Sequence, residues 1–151
     1  MITIKQTQRK IPFCTTPFLK KAQKILQYLH YSDFDLGILL TTNPTIKKYN
    51  KQYRQKDKPT DVLSFPYHTN LQAGQNIQVA TEEDKNLGDI IISVPYVFEN
   101  KHDLEGTFEQ RMDRMLVHGI CHLLGYDHIE DHDHKKMSTL ENQLLQIILT
   151  I

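Results

Sequence analysis

The chain has 151 residues, 39% of them apolar and 24% charged, enough for one hydrophobic core, with nothing to suggest a second. It is read as a single domain spanning 1–151. Cys14 and Cys121 are too few for a disulfide framework and fit a reducing compartment. Neither an N-terminal signal stretch nor an apolar run of bilayer length occurs, which predicts a cytoplasmic protein without a membrane partner. Formal net charge is zero, yet residues 1–60 carry 12 Lys/Arg against three acids, a net +9, and residues 61–151 carry the compensating −9. Such a division points to an anionic partner for the first part.

In chain order, Ile2 to Gln6 reads as a strand. Thr16-Pro17 supplies an N-cap followed by a first-turn proline and opens a helix to about Tyr31. The aliphatic run in Asp35 to Thr41 reads as a strand. Asn43-Pro44 repeats the cap-plus-proline signal and starts a helix through about Tyr53. Asp61 to Pro66 is a short strand. Tyr67 to Asn86, polar and containing Gly74, reads as a loop with room for a short edge hairpin. Leu87 to Val94, with Ile90-Ile91-Ile92, suggests a strand in a sheet covered on both faces. Pro95 to Lys101 reads as a short helix, and His134 to Leu149 as a final amphipathic one. Four strands interleaved with helices predict an α+β (or α/β-type) sandwich built on a small mixed sheet.

Between those helices lies the segment that carries chemistry. Apolar residues at Phe108, Met112, Met115, Leu116, Ile120, Leu123 and Leu124 follow helical periodicity. His118 and His122 flank that stripe four residues apart, so both imidazoles leave one helical face a turn apart. Gly125 can adopt the left-handed conformation that ends a helix. The third histidine, His128, is six residues beyond His122, a reach of about 20 Å when extended, so only a sharp turn returns it to the other two. Three imidazoles suit zinc, leaving a fourth position for water or substrate, although nickel, copper or cobalt accept the same donors. His132 and His134 are alternative third ligands, or else part of an exposed helix start. Asp127 either orients an imidazole or hydrogen-bonds the turn.

Positive charge is densest at Lys47, Lys48, Lys51, Arg54, Lys56 and Lys58. Lys51, Lys56 and Lys58 are candidate substrate-binding residues for a polyanion, with a solvated helix face as the bland alternative. Arg54 is the candidate catalytic residue, because its planar fork can hold a phosphate bidentately.

The string His118-Gly-x-x-His122-Leu-x-Gly-Tyr-Asp-His128 resembles the signature of the YbeY family of metal-dependent endoribonucleases. The segment Asn50 to Pro66, containing Tyr53-Arg54 and Pro59-Thr60-Asp61-Val62-Leu63-Ser64-Phe65-Pro66, resembles that family's other signature, and Leu87-Gly88-Asp89-Ile90 a third. The resemblance implies a four-stranded sheet around a zincin-like metal helix, one zinc held by His118, His122 and His128, and an essential Arg54. It also implies single-strand cleavage of ribosomal RNA, including 16S 3′-end maturation and ribosome quality control. Ribosomal RNA and the ribosome are the implied partners, with a ribosomal protein or GTPase as a further one and no DNA. Cys121 departs from the family's usual aliphatic residue; it is either a small core residue or a soft ligand.

Gly119 stands where metalloproteases carry the Glu of His-Glu-x-x-His, which argues against peptidase chemistry. The glycine either spares an incoming phosphodiester a negative charge or permits close helix packing. Two other classes stay open: a metallohydrolase of another substrate, and a ribosome-associated binding module with a structural metal.

Overall fold

The computed structural model describes residues 1–149. Four strands, β1 (Ile2–Gln6), β2 (Asp35–Thr41), β3 (Val62–Pro66) and β4 (Asn86–Ser93), form one mixed sheet in the order β1-β2-β4-β3. β1, β2 and β4 run parallel; β3 joins antiparallel at the edge. Five helices complete the α+β fold: α1 (Thr15–Tyr28), α2 (Asn43–Arg54), α3 (Val94–Glu99), α4 (Phe108–Leu123) and α5 (Asp131–Ile148).

Side-chain alternation divides the sheet into two faces. Leu36, Ile38, Leu40, Ile90 and Ile92 point to one, where they pack with Ala22 and Ile25 of α1, Leu116 and Ile120 of α4, and Met137 and Leu144 of α5. Leu63 and Ile91 point to the other, against Ile46 of α2 and the half-buried Leu39, Tyr49 and Phe65. All three isoleucines of the Ile90-Ile91-Ile92 run are therefore buried, each from its own side. α2 and α4 consequently lie on opposite faces of the sheet, and β3 is the edge strand past which each must look to meet the other.

β1 and β2 have the expected bounds, while several others move for local reasons. α1 starts at Thr15 with Cys14 as N-cap, so Pro17 sits in the third helical position, where an amide has no intrahelical acceptor to lose. It stops at Tyr28 rather than Tyr31, because His30 turns left-handed (φ 64°) and the Tyr31 amide donates back to the Leu26 carbonyl. α2 is capped at Thr42; Asn43, the expected cap, is already helical and its side chain accepts from Ser93 Oγ at 2.6 Å. No hairpin occurs in residues 67–85, which hold only a short 3₁₀ turn at Glu82–Asp84, and Asn86, expected in this loop, already belongs to β4. β4 ends at Ser93, since Val94 and Pro95 occupy the first positions of α3, and α3 ends at the left-handed Asn100 (φ 51°). α5 begins three residues early, with Asp131 and Asp133 in a first turn that favours acids.

Candidate metal centre

α4 is built to hold its histidines rigidly. Its start is closed by a capping box, in which Gln110 N donates to Thr107 Oγ1 at 3.2 Å and Thr107 N to Gln110 Oε1 at 2.9 Å. Gly119 faces the sheet: a Cβ there would come within 2.9 to 3.1 Å of three carbons of the fully buried Ile90. The packing explanation for this glycine is thus sufficient, since any larger side chain there must displace Ile90. At the far end, Gly125 N donates to the His122 carbonyl and Tyr126 N to the Cys121 carbonyl, both at 3.1 Å, the paired bonds of a Schellman stop. Gly125 has φ 88°, and an added Cβ would collide with the Leu71 carbonyl, so turn and tertiary contact both require glycine.

That turn brings the third imidazole round. The ring nitrogens offered by His118, His122 and His128 lie within 4.8 Å of one another, and the ring centroids are 4.5, 5.3 and 5.6 Å apart. His118 Nδ1 donates to Glu141 Oε2 on α5 at 2.9 Å, and His122 Nδ1 donates to the Tyr126 carbonyl at 2.9 Å. With both Nδ1 protons committed to acceptors, both Nε2 atoms present lone pairs, and they face each other at 3.0 Å. Two such nitrogens bound to zinc at about 2.0 to 2.1 Å in tetrahedral geometry would stand about 3.4 Å apart, close to the spacing found. Two such lone pairs share a proton or a metal ion between them, and the three-nitrogen donor set with this spacing fits a metal ion. Burial, reinforced by the neighbouring His118, pushes the His122 imidazole down to about 4, which keeps it neutral and able to ligate at neutral pH.

The other candidates of this segment fall outside the cluster. His132 and His134 are exposed on the first turn of α5. Asp127 Oδ1 accepts from Ile129 N at 3.2 Å, the turn role. Cys121 is buried in the main core, where desolvation pushes its thiol far up and leaves it unreactive. Sequence reasoning misses Glu141, which is 23 residues from its histidine; the available signal is a carboxylate beside the apolar stripe Met137, Leu144, Ile148 of the last helix.

Arg54 is the last residue of α2, exposed on the opposite sheet face from the histidines, and its side chain makes no hydrogen bond or ion pair among the described residues. Lys51 and Lys47 approach Asp57 at 3.9 and 3.8 Å, exposed pairs worth little. Lys56 and Lys58 are exposed in the loop that follows. The histidines therefore belong to the α4 face and Lys47, Lys51 and Arg54 to the helix on the opposite face, with edge strand β3 between them and Lys56 and Lys58 in the loop that leads from α2 into that strand.

A profile of the family described as Endoribonuclease YbeY matches residues 1–148. The human protein of that name is 36% identical over 144 residues, covering 95% of this chain and 86% of the human one. The Sulfurihydrogenibium protein of the same name is 41% identical over 132 residues, covering 86% of this chain and 81% of its own. Among solved structures, the solution structure of TM1509 from Thermotoga maritima superposes with a TM-score of 0.65 at 28% identity, covering 98% of this chain and 89% of that one.

Proposed function

The chain belongs to the YbeY family of endoribonucleases, and from that premise we propose that it is a zinc-dependent endoribonuclease that cuts single-stranded segments of ribosomal RNA. The observation that carries the reading is the convergence of three imidazoles, two of them already oriented by a carboxylate and a backbone carbonyl. In this reading His118, His122 and His128 hold the ion through ring nitrogens. Zinc at that position supplies a Lewis acid that polarises a phosphate oxygen or activates water near neutral pH. Glu141 keeps the proton of His118 on Nδ1, so that Nε2 faces the site. Gly119 leaves the helix without the carboxylate a peptidase would place beside its first ligand. Arg54, across edge strand β3 from the histidines, holds a phosphate of the same RNA strand beside the one that is cut, and Lys51, Lys56 and Lys58 hold further phosphates.

The biological setting proposed is 16S 3′-end maturation and ribosome quality control in the cytoplasm, carried out by one domain spanning 1–151, with the ribosome, a ribosomal protein or a GTPase as partner. The net +9 of residues 1–60 supports a polyanionic substrate. No helix among the described residues is long and apolar enough to cross a membrane. Cleavage of defined ribosomal RNA fragments tests the reading. Wild type should cut single-stranded regions, and Arg54→Ala should lose at least tenfold in rate while retaining its metal. Products ending in 2′,3′-cyclic phosphate would identify the 2′-hydroxyl as nucleophile. Turnover of peptides but not of RNA would overturn the reading.

A further inference from the structure

The sheet face carrying α2 is covered only in part. Tyr49 and Tyr53 of α2 lean over Phe65 of β3, and beside them the sheet lies open across β4, β2 and β1 as a trough of about 940 Å³. Strand register sets its floor as one cross-strand row, Thr3, Gly37, Asp89 and Phe65. Asp89 is the one exposed residue of the eight in β4, an interior strand whose other members are buried or half-buried. Its carboxylate has no hydrogen bond or ion pair among the described residues, and it rests over Gly37, where any side chain would collide with it. Apolar surface is left bare beside it. Tyr53 is 55% exposed, parallel to Tyr49 (6.2 Å between centroids, 11° between planes) and edge-on to Phe65 at 5.2 Å. Arg54 follows Tyr53 in sequence, and Lys5 stands exposed one residue pair along β1 from Thr3. The other carboxylate of the trough, Asp35, is occupied by the N-terminal ammonium at 2.7 Å.

An exposed aromatic wall, an unpartnered acceptor on the floor and a cation, Lys5, on the rim match the three parts of a nucleotide: π-face, base edge and phosphate. We propose that this trough is a nucleobase subsite for single-stranded RNA, in which a base stacks on Tyr53, its edge donates to Asp89, and flanking phosphates lie on Arg54 and Lys5. Stacking is tolerant of base identity, whereas a carboxylate only accepts, so it selects bases by their donors. Guanine places N1–H and N2–H₂ side by side and can donate twice to one carboxylate; uracil offers a single N–H between two carbonyls. The subsite therefore favours guanine. Because the trough and the three histidines flank the same edge strand, a bound strand passes over β3 from one to the other. The basic residues then hold substrate beside the cleavage site rather than at it.

This inference rests on the ribonuclease reading, and its test separates the two. Binding of labelled 2′-O-methyl single strands, one containing guanine and one of uridine only, is measured by fluorescence anisotropy beside cleavage of a ribosomal RNA fragment. Wild type should prefer the guanine strand about tenfold. Tyr53→Ala should weaken both strands about tenfold, Tyr53→Phe should restore them, and Asp89→Asn should erase the preference while leaving uridine binding intact. Thermal melts of the variants, all at exposed positions, check that each is folded. Wild type that cuts RNA while showing no guanine preference, or variants that bind both strands as wild type does, overturn the subsite and leave the nuclease reading standing. Wild type that neither binds nor cuts RNA overturns both.

Discussion

Gly125→Ala perturbs the turn on which the third imidazole depends. The residue sits at φ 88°, where an L side chain costs about 1 to 2 kcal/mol. The new Cβ would also meet backbone: it overlaps the Leu71 carbonyl oxygen and comes within 2.8 Å of its carbon and 3.2 Å of the Gln72 carbon. Backbone cannot rotate away as a side-chain tip can, so either the 67–85 loop or the helix stop must shift, at a further cost of about 1 to 3 kcal/mol. A loss of about 2 to 5 kcal/mol lowers the melting temperature of a chain this size by roughly 5 to 15 °C. His128 is only three residues past the shifted turn, so zinc affinity should fall with stability. Circular dichroism melts of the metal-free protein give the first effect and competition with a chromogenic chelator gives the second. A melting temperature within 2 °C of wild type, with zinc affinity unchanged, would refute the role given to this turn.

Glu141→Gln keeps the shape of the acceptor for His118 Nδ1 but removes its charge, and should weaken zinc binding about 10- to 100-fold in chelator competition with little change in apo melting; unchanged affinity would remove Glu141 from the site. Gly119→Ala gains helix propensity worth about 1 kcal/mol but presses on Ile90, so a net loss of roughly 1 kcal/mol is expected by urea titration, and a gain would show that Ile90 yields freely. In the metal-free protein, His122 is depressed to about 4 when folded against about 6.5 unfolded, so the unfolded chain binds the extra proton. The stability this group contributes is full above pH 6.5 and falls as pH drops toward 4. A shift of that size corresponds to about 3 kcal/mol, reduced to about 1 to 2 by solvent at the half-buried ring. His122→Gln should lack this part of the slope, and identical pH profiles would contradict it.

Much of this molecule is legible in its amino-acid sequence, for identifiable reasons. The spacing of His118 and His122 and the glycine stop are local devices, and local geometry turns them directly into a shared face and a return turn. Strands β1 and β2 match their expected bounds because turn residues and aliphatic runs coincide at their ends. Helix starts are less legible: both Thr16-Pro17 and Asn43-Pro44 sit one or more positions inside their helices, since a proline is tolerated anywhere in the first turn and does not mark which residue precedes it. The residues that support the ligands depend on long-range packing. Glu141 meets His118 only because α5 crosses α4, and the separation of Arg54 from the histidines follows from α2 and α4 taking opposite faces of the sheet. Charge density along the chain signals a polyanion; it carries no information about which face the charge occupies.

The proposed chemistry requires the three histidines to act as one ligand set, which metal stoichiometry tests most directly. Protein purified without chelator and analysed by inductively coupled plasma mass spectrometry should carry one zinc per chain, and His118→Ala, His122→Ala and His128→Ala should each lose it while remaining folded. Stoichiometric zinc retained by any of the three variants would contradict the assignment.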